Sequence, residues 1–162
     1  MEVTHERIMM LDITSTDGKP VGLKGRIAHG HLLPGDLLTI DGTEWLVIDN
    51  APGKALIWQR TNVMTRSEFM KRKHDAGIPE GLRQLAEKVF IPTMETVSRI
   101  PQERERIAFD SDGIATSYWL AEPTDEDGFV RFVRPDGTIG TQHVSQDLCI
   151  APACWIRGDT ND

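Results

Sequence analysis

The densest group of ionisable side chains in the sequence is EPTDEDG, Glu122 to Gly128, in which four of seven residues are carboxylates. An oxygen-rich loop of this kind is a candidate for Ca²⁺, and its negative charge also attracts a basic partner. We interpret the segment as an exposed turn that holds no metal ion. A solvated turn without a partner is the favoured interpretation, and a surface that binds a basic partner is the functional one. The predicted binding residues in this turn are Glu122, Asp125, Glu126 and Asp127.

Two further polar residues are expected to lie near this turn. Asp136 occupies the predicted turn Pro135–Gly137, and His143 begins a polar segment that continues to Asp147. Loops that connect strands are common binding surfaces, because a rigid framework holds them in place. We therefore add Asp136 and His143 to the predicted binding residues.

The HGH motif would bring His29 and His31 to one side of a strand. Two histidines in this arrangement could supply two of the ligands of a zinc ion. Zinc needs a third and usually a fourth ligand, and His5 or His143 would have to come from distant parts of the chain. We interpret the pair as surface or turn histidines. The prediction is a protein without a metal ion and without a cofactor.

The chain has two cysteines, Cys149 and Cys154. Together with His143 and Asp147 they offer the residue types of a thiol nucleophile, but no motif of such an enzyme surrounds them. A disulfide between the two cysteines would close a small loop. In a reducing compartment buried thiols are the favoured interpretation, and we predict a protein that is not an enzyme.

The composition is typical of a soluble globular domain: 162 residues, of which 39% are hydrophobic and 27% charged. The formal net charge of -7 disfavours binding to nucleic acid, which depends on clustered Lys and Arg side chains. We interpret the basic cluster Lys71–His74 as a solvated helix face. No apolar run reaches the length of a signal peptide or a membrane span, so we expect synthesis in the cytoplasm and no membrane insertion.

Apolar patterns predict strands towards both ends of the chain and helices between them. Strands Glu44–Asp49 and Lys54–Gln59 form a hairpin around the loop Asn50–Gly53, and a second hairpin surrounds the Pro-Asp-Gly turn at Asp136. Three helices are predicted, over Thr65–Gly77, Ile78–Phe90 and Pro92–Arg99. The predicted fold is α+β, with an antiparallel sheet built from both chain ends and two or three short helices between.

Two stretches, SYWLAEP from Ser117 and IAPACWI from Ile150, each join a tryptophan to aliphatic neighbours. Large aromatic side chains on short alternating strands usually anchor a core, so we predict that both are core strands. The residues expected in one shared core are Trp45, Trp119, Trp155, Val47, Leu120 and Ile156. Trp58 is expected in a more variable environment.

Six short motifs follow one another between Gly35 and Ile156 in an order that resembles a domain family. They are GDLLTIDGTEWLVID, FIPTMETV, RIA, WLAEP, VRPDGTI and IAPACWI. The family is an uncharacterised one from bacteriophages, prophages and Firmicutes, and it has a C-type-lectin-like fold. Ala121 and Ala151 stand where that family has arginines, so we expect apolar packing in place of forked arginine hydrogen bonds.

The resemblance implies a C-type-lectin-like domain over 35–157, an N-terminal extra strand or docking segment over 1–34 and a polar tail over 158–162. It implies a non-catalytic binding or assembly module of a bacteriophage virion: a head decoration, head-fibre or tail-associated protein. Such a module recognises a protein or a glycan and can form oligomers. The alternative is an intracellular phage- or prophage-encoded inhibitor or regulator whose acidic surface binds a host protein. Either protein is made in the host cytoplasm.

Overall fold

The structure, a computed structural model, describes residues 10–13, 27, 32–40, 42–72, 85–87 and 89–158. The strands are β1 (Met10–Ile13), β2 (Leu37–Ile40), β3 (Thr43–Ala51), β4 (Lys54–Gln59), β5 (Met64–Thr65), β6 (Ala108–Phe109), β7 (Ala115–Thr116), β8 (Tyr118–Pro123), β9 (Phe129–Val133), β10 (Ile139–His143), β11 (Cys149–Ile150) and β12 (Ala153–Arg157). The helices whose bounds lie within the described residues are α1 (Arg66–Arg72), α2 (Met94–Ser98) and a 3-10 helix (Glu103–Arg106).

The chain divides into two compact units. The first comprises Met1–Trp58, Ile78–Val89 and Ala153–Asp162, and the second comprises Gln59–Gly77 and Phe90–Pro152. The strands pair mostly in antiparallel fashion and the helices are short, which confirms the α+β class. One sheet combines strands from both chain ends, but the strands that the structure describes form two five-stranded sheets and a two-stranded ribbon rather than one sheet. The domain boundaries at residues 34 and 157 stay predictions.

The first unit is built on the sheet β1-β2-β3-β4-β12. Ala55 and Ile57 of β4 are register partners of Ile156 and Cys154 of β12, so all four side chains leave the sheet on one face. That face carries the core cluster of the unit. Its buried members are Ile27, Leu32, Leu38, Ile40, Trp45, Val47, Ala55, Ile57, Leu85, Cys154 and Ile156.

The predicted helix over Ile78–Phe90 is wrong for the residues that the structure describes in that range, which are not helical. Ala86 pairs with Ile156 of β12 instead, and Glu87 N donates a hydrogen bond to Trp155 O at 2.8 Å. The open edge of β12 offers partners to these backbone groups, and that tertiary pairing outweighs the helical spacing of the apolar residues. Residues 78–84 and 88 lie outside the described part of the chain.

The second unit is built on the sheet β10-β9-β8-β11-β5. The two-stranded ribbon β6-β7 lies between β5 and β8 in the sequence. Its core cluster consists of Trp119, Phe132 and Ile150, with Ile91, Val130 and Leu148 packed against them. The rings of Trp119 and Phe132 meet edge to face, with their centroids 6.5 Å apart. β9 and β10 form the predicted hairpin around the Pro-Asp-Gly turn.

Both α-helices described in this unit were predicted, whereas the 3-10 helix Glu103–Arg106 was not. α1 begins at Arg66, one residue after the predicted start, and residues 73–77 of that prediction lie outside the described residues. α2 begins after Thr93, whose Oγ1 accepts a hydrogen bond from Thr96 N at 3.1 Å, and it ends before Pro101 as expected. A threonine at this position satisfies a backbone donor that the first helical turn leaves without a partner.

The positions of the tryptophans differ from those predicted for a single core. Trp45 and Trp119 are buried, but in different clusters. Trp155 is half-buried, because strand alternation turns it to the face opposite Cys154. Trp58, which was expected to be variable, is fully buried with 0% exposure. The prediction of one shared core is therefore wrong.

The two alanines at the family's arginine positions differ in environment. Ala151 is buried, as expected for apolar packing, whereas Ala121 is exposed. The backbone N–H of Ala121 donates to Pro92 O at 2.9 Å. At this position a backbone contact, rather than a side chain, joins β8 to the segment before α2.

Candidate functional site

A cleft of about 450 Å³ opens in the second unit beside β11, and we call it the Cys149 cleft. Its lining comes from separate segments of the chain: β5 with α1, the β6–β7 ribbon, the β9–β10 turn and the approach to β11. The lining residues are Val63, Met64, Thr65, Glu68, Asp110, Ser111, Ala115, Thr116, Ser117, Pro135, Asp147, Leu148 and Cys149. A concave surface of this size fits a single side chain or a short segment of a partner.

Arg66 holds the wall on the α1 side. Its backbone N–H donates to Leu148 O at 2.9 Å, and its Nη2 donates to Val144 O at 2.5 Å and to Gln146 O at 3.2 Å. The guanidinium carbon also lies 5.3 Å from the ring centroid of Trp119, a cation–π distance. One arginine therefore ties the loop after β10 to the beginning of α1.

Asp147 completes this wall. Its Oδ1 accepts from Ser67 N at 3.3 Å, and its Oδ2 accepts from Ser67 Oγ at 3.1 Å. A carboxylate is favourable at the first turn of a helix, where backbone N–H groups have no helical acceptor. Glu68 follows in the same turn, and its exposed side chain lines the cleft.

Asp110 shapes the part of the lining that comes from the β6–β7 loop. Its Oδ1 accepts from Asp112 N at 2.9 Å and from Ile114 N at 3.0 Å. An aspartate that accepts from backbone groups a few residues ahead folds its own turn. The β6–β7 loop is therefore closed by the same half-buried carboxylate that faces the cleft.

Cys149 is the most buried ionisable residue of the lining, with 7% exposure. Burial raises the pKa of its thiol, and the carboxylates of Asp110, Asp147 and Glu68 add to that increase, against a weak contact with Thr116 Oγ1 at 3.7 Å. The thiol is therefore protonated at neutral pH. Because a cysteine nucleophile reacts as the thiolate, these surroundings favour a neutral polar role for Cys149.

Exposed apolar side chains lie in the segments that build the cleft. Met70, with 59% exposure, follows Glu68 in α1, and Ile114, with 60% exposure, precedes Ala115. Val144, with 37% exposure, belongs to the loop that Arg66 holds. Apolar contacts are thus available in the same segments as the carboxylates.

The predicted acidic turn connects β8 and β9, and residues 125–127 are exposed there. Thr124 Oγ1 accepts from Glu126 N at 3.1 Å and closes the turn. His143 lies beside it, because its ring meets the Phe129 ring edge to face at 5.3 Å between centroids. The structure therefore brings His143 and the acidic turn together, and their binding role stays a prediction.

Glu122 has a contact that sequence reasoning missed. Its Oε1 accepts a hydrogen bond from Met94 N at 2.7 Å, at the first residue of α2. This carboxylate therefore joins β8 to the N-terminus of α2, and a partner would have to compete with a backbone donor for it.

Asp136 lies apart from the acidic turn and His143, which corrects the expectation that the three are neighbours. It occupies the turn at one end of the β9–β10 hairpin, and His143 pairs with Phe129 at the other end. Its Oδ1 accepts from Thr138 Oγ1 at 2.7 Å and from Thr138 N at 3.0 Å. These hydrogen bonds lower the pKa of Asp136, because they stabilise the ionised carboxylate.

The cysteines are free thiols, and both are buried. Burial raises the pKa of Cys154 to about 12. His5, His29 and His31 lie outside the described residues, so the HGH motif is not placed. Among the residues that are described, no group of three or more His, Cys, Asp and Glu side chains is arranged to hold a metal ion.

Sequence reasoning missed Glu68 and Asp110, although it noted Asp147 and Cys149. Glu68 resembles any exposed helix residue, and Asp110 resembles any turn residue. The pairings of Val63 with Asp110 and of Cys149 with Tyr118 bring their segments together, and no local pattern marks such pairings. The sequence pattern that could have pointed to these residues is an isolated carboxylate beside a predicted short strand, and that pattern is common in loops.

Comparison of the chain with protein-family models, with curated proteins and with solved structures gives no match. The resemblance to the C-type-lectin-like family therefore rests on the six sequence motifs. In the described part of the chain, no helix has both the length and the apolar character needed to cross a membrane.

Proposed function

We propose that this chain is a non-catalytic binding module whose Cys149 cleft accepts a basic side chain of a protein partner. The observation that carries the proposal is the charge of the cleft. Glu68, Asp110 and Asp147 line it, and none of the lining residues that the structure describes is Lys or Arg. Like charges in a concave surface focus their field and raise the local concentration of the opposite charge, so an ammonium or guanidinium group is the complementary ligand.

Neutral polar groups of the cleft complement such a ligand. The hydroxyl groups of Thr65, Ser111, Thr116 and Ser117 belong to its lining. Lys and Arg donate several hydrogen bonds and accept none, so carboxylates and hydroxyl oxygens are suitable acceptors. Each hydrogen bond to a charged group contributes about 1.5–3 kcal/mol, which makes a small number of contacts sufficient for a specific but reversible complex.

The resemblance to a phage-borne family supports a place for this module in a virion. Under this proposal it is a head decoration, head-fibre or tail-associated protein, and its partner is a basic surface of another protein. A glycan is the second class of partner that the resemblance supports. The acidic net charge of -7 supports the alternative as well, an intracellular inhibitor or regulator that binds a host protein.

Fluorescence anisotropy with a labelled oligolysine peptide tests the cleft. Glu68→Gln and Glu126→Gln form a matched pair, because each replaces an exposed glutamate by its isosteric amide and only Glu68 lines the cleft. We expect Glu68→Gln to weaken binding several-fold, in proportion to about 1 kcal/mol per exposed charge contact, and Glu126→Gln to weaken it less. If both variants weaken oligolysine binding equally, the peptide binds through the net negative charge of the protein and not through the cleft.

Mass spectrometry of purified phage particles tests the virion role. A virion component is expected in particles at a constant ratio to the major capsid protein. High salt screens ionic contacts, so the protein should remain bound through a high-salt wash only if apolar contacts also contribute to binding. Absence from particles, together with a soluble complex in infected cells, would favour the inhibitor or regulator. Either result leaves the oligolysine measurement independent, because that measurement concerns the cleft alone.

A further inference from the structure

β10 is the edge strand of the second sheet, and it pairs with β9. The hydrogen bonds of Arg134 N to Thr138 O and of Val144 N to Gly128 O bracket this hairpin. In an antiparallel pair, hydrogen-bonded residues alternate with residues whose backbone groups turn away from the partner. By this alternation residues 139, 141 and 143 direct their N–H and C=O groups to the open side of the sheet.

Three of the four outward groups at the ends of β10 are already occupied. Ile139 O accepts from Arg134 Nη1 at 3.1 Å. His143 N donates to Gln142 Oε1 at 3.1 Å, and His143 O accepts from Gln146 N at 3.1 Å. Natural proteins protect edge strands because open ones pair with other chains. Within the described part of the chain, the N–H and C=O of Thr141 at the centre of β10 take part in no hydrogen bond.

Arg134 reaches the edge by crossing the strand at Gly140. Its guanidinium carbon lies 5.5 Å from the ring centroid of Phe132, and Nη1 also contacts Thr138 Oγ1 at 3.3 Å. A Cβ atom at residue 140 would lie 2.3 Å from Arg134 Nη2. The absence of a side chain at Gly140 therefore makes the path of Arg134 possible, and any larger residue must displace the guanidinium.

We propose that Arg134 and Gln142 keep β10 closed to strand addition, and that an uncapped β10 pairs in antiparallel fashion with β10 of a second copy. A two-fold axis at Thr141 fits the pattern of outward groups. Pairing about that axis places Thr141 opposite its counterpart and Ile139 opposite His143 of the other copy. All outward groups of one copy then meet those of the other. The caps thus prevent self-pairing by this edge, and the proposal does not depend on the Cys149 cleft.

Two independent changes uncap the edge. Arg134→Ala with Gln142→Ala removes both side-chain caps. Gly140→Ala displaces the guanidinium cap alone, and it leaves both Arg134 and the Gln142 cap in the sequence. Arg131→Ala is the matched control, because Arg131 lies on β9, three residues before Arg134, and turns to the other face of the sheet. Sedimentation velocity over a concentration series measures self-association of each variant beside the unmodified chain.

Both uncapped variants are expected to self-associate about tenfold more strongly than the Arg131→Ala control, the change that about one charge-assisted hydrogen bond accounts for. Adding Thr141→Pro should abolish the gain, because proline removes an outward donor and is tolerated on the open side of an edge strand. As a positional readout, Thr141→Cys should form an intermolecular disulfide in the uncapped background and remain reduced in the capped one.

The proposal is overturned if folded uncapped variants associate no more than the control. It is equally overturned if their association survives Thr141→Pro, because another surface would then be responsible. Circular dichroism establishes that each variant is folded. If the double variant fails to fold, Gly140→Ala alone decides between the two outcomes, since it deletes no side chain.

Discussion

At the scale of single residues, burial decides what the cysteines of this chain can do. The sequence offered Cys149 and Cys154 beside His143 and Asp147, which are the residue types of a thiol nucleophile. In the structure Cys154 has 0% exposure and Cys149 has 7%. Burial raises the pKa of both thiols, so the folded protein holds them in their protonated forms at neutral pH.

The raised pKa of Cys154 predicts a loss of stability in alkali. The thiol has a pKa of about 8.5 in an unfolded chain and of about 12 in the folded one, so between these values the folded state binds more protons. Its contribution to the free energy of unfolding is fully present below pH about 8.5 and is lost towards pH about 12, at up to about 1.4 kcal/mol per pH unit. We expect Cys154→Ala to flatten this decline in denaturant titrations across that window.

Val47→Ala is the control for that experiment, because it truncates a side chain in the same cluster without an ionisable group. It should lower the free energy of unfolding by a similar amount at every pH. Tyr118, whose pKa burial also raises, is common to all three proteins and contributes equally to each. A decline that is as steep for Cys154→Ala as for the unmodified chain would show that Cys154 is not its source.

At the scale of elements, close backbone contacts hold the β9–β10 hairpin in place. Gly137, in the turn of that hairpin, has φ of +90°. A Cβ atom there would lie 2.0 Å from Glu103 O, in the 3-10 helix. The same turn contributes Pro135 to the Cys149 cleft. The lack of a side chain at one residue therefore affects both the packing of the hairpin and the wall of the candidate site.

Gly137→Ala should destabilise the protein more than Gly113→Ala. Both glycines have positive φ angles, but a Cβ atom at Gly113 would meet nothing within 4 Å. Gly113→Ala is expected to cost about 1–2 kcal/mol, the penalty of a left-handed conformation with a Cβ atom. Gly137→Ala adds a clash with a backbone oxygen that cannot rotate away. If urea denaturation shows that both variants lose the same free energy of unfolding, the turn moves away from Glu103 O at no additional cost.

At the scale of the whole molecule, two groups of carboxylates among the described residues are suited to a basic partner. The chain has a formal net charge of -7. Residues 125–127 carry exposed carboxylates in the β8–β9 turn, and Glu68, Asp110 and Asp147 line the Cys149 cleft. The first group is suited to steering a basic partner from a distance, and the second is suited to holding it, because a concave site offers several acceptors at once.

Neutralising Asp125, Glu126 and Asp127 together should slow association with the oligolysine peptide and leave dissociation nearly unchanged. Exposed charges act mainly on the encounter rate and contribute little to folding, so the free energy of unfolding should change by less than about 1 kcal/mol. Glu68→Gln should instead raise the dissociation rate. Stopped-flow fluorescence at several salt concentrations measures the association and dissociation rates separately. If the peptide dissociates faster from the triple variant, the acidic turn rather than the cleft is its binding site.

Local sequence patterns were sufficient to predict the elements that depend on neighbouring residues. The hairpins β3–β4 and β9–β10 follow from alternating strands around Pro-Gly and Pro-Asp-Gly turns, whose backbone preferences are local. α2 follows from the prolines on either side of its segment, Pro92 and Pro101. The α+β class follows from the order of these elements along the chain.

Tertiary structure alone decided which segments meet. It paired Ala86 with Ile156 in place of a helix, buried Trp58, and turned Trp155 away from the face that carries Cys154. It also assembled the Cys149 cleft from β5 with α1, the β6–β7 ribbon and β11, which are distant in the chain. These outcomes depend on strand register and on competition for open sheet edges, and both are set by contacts between distant segments rather than by any local pattern.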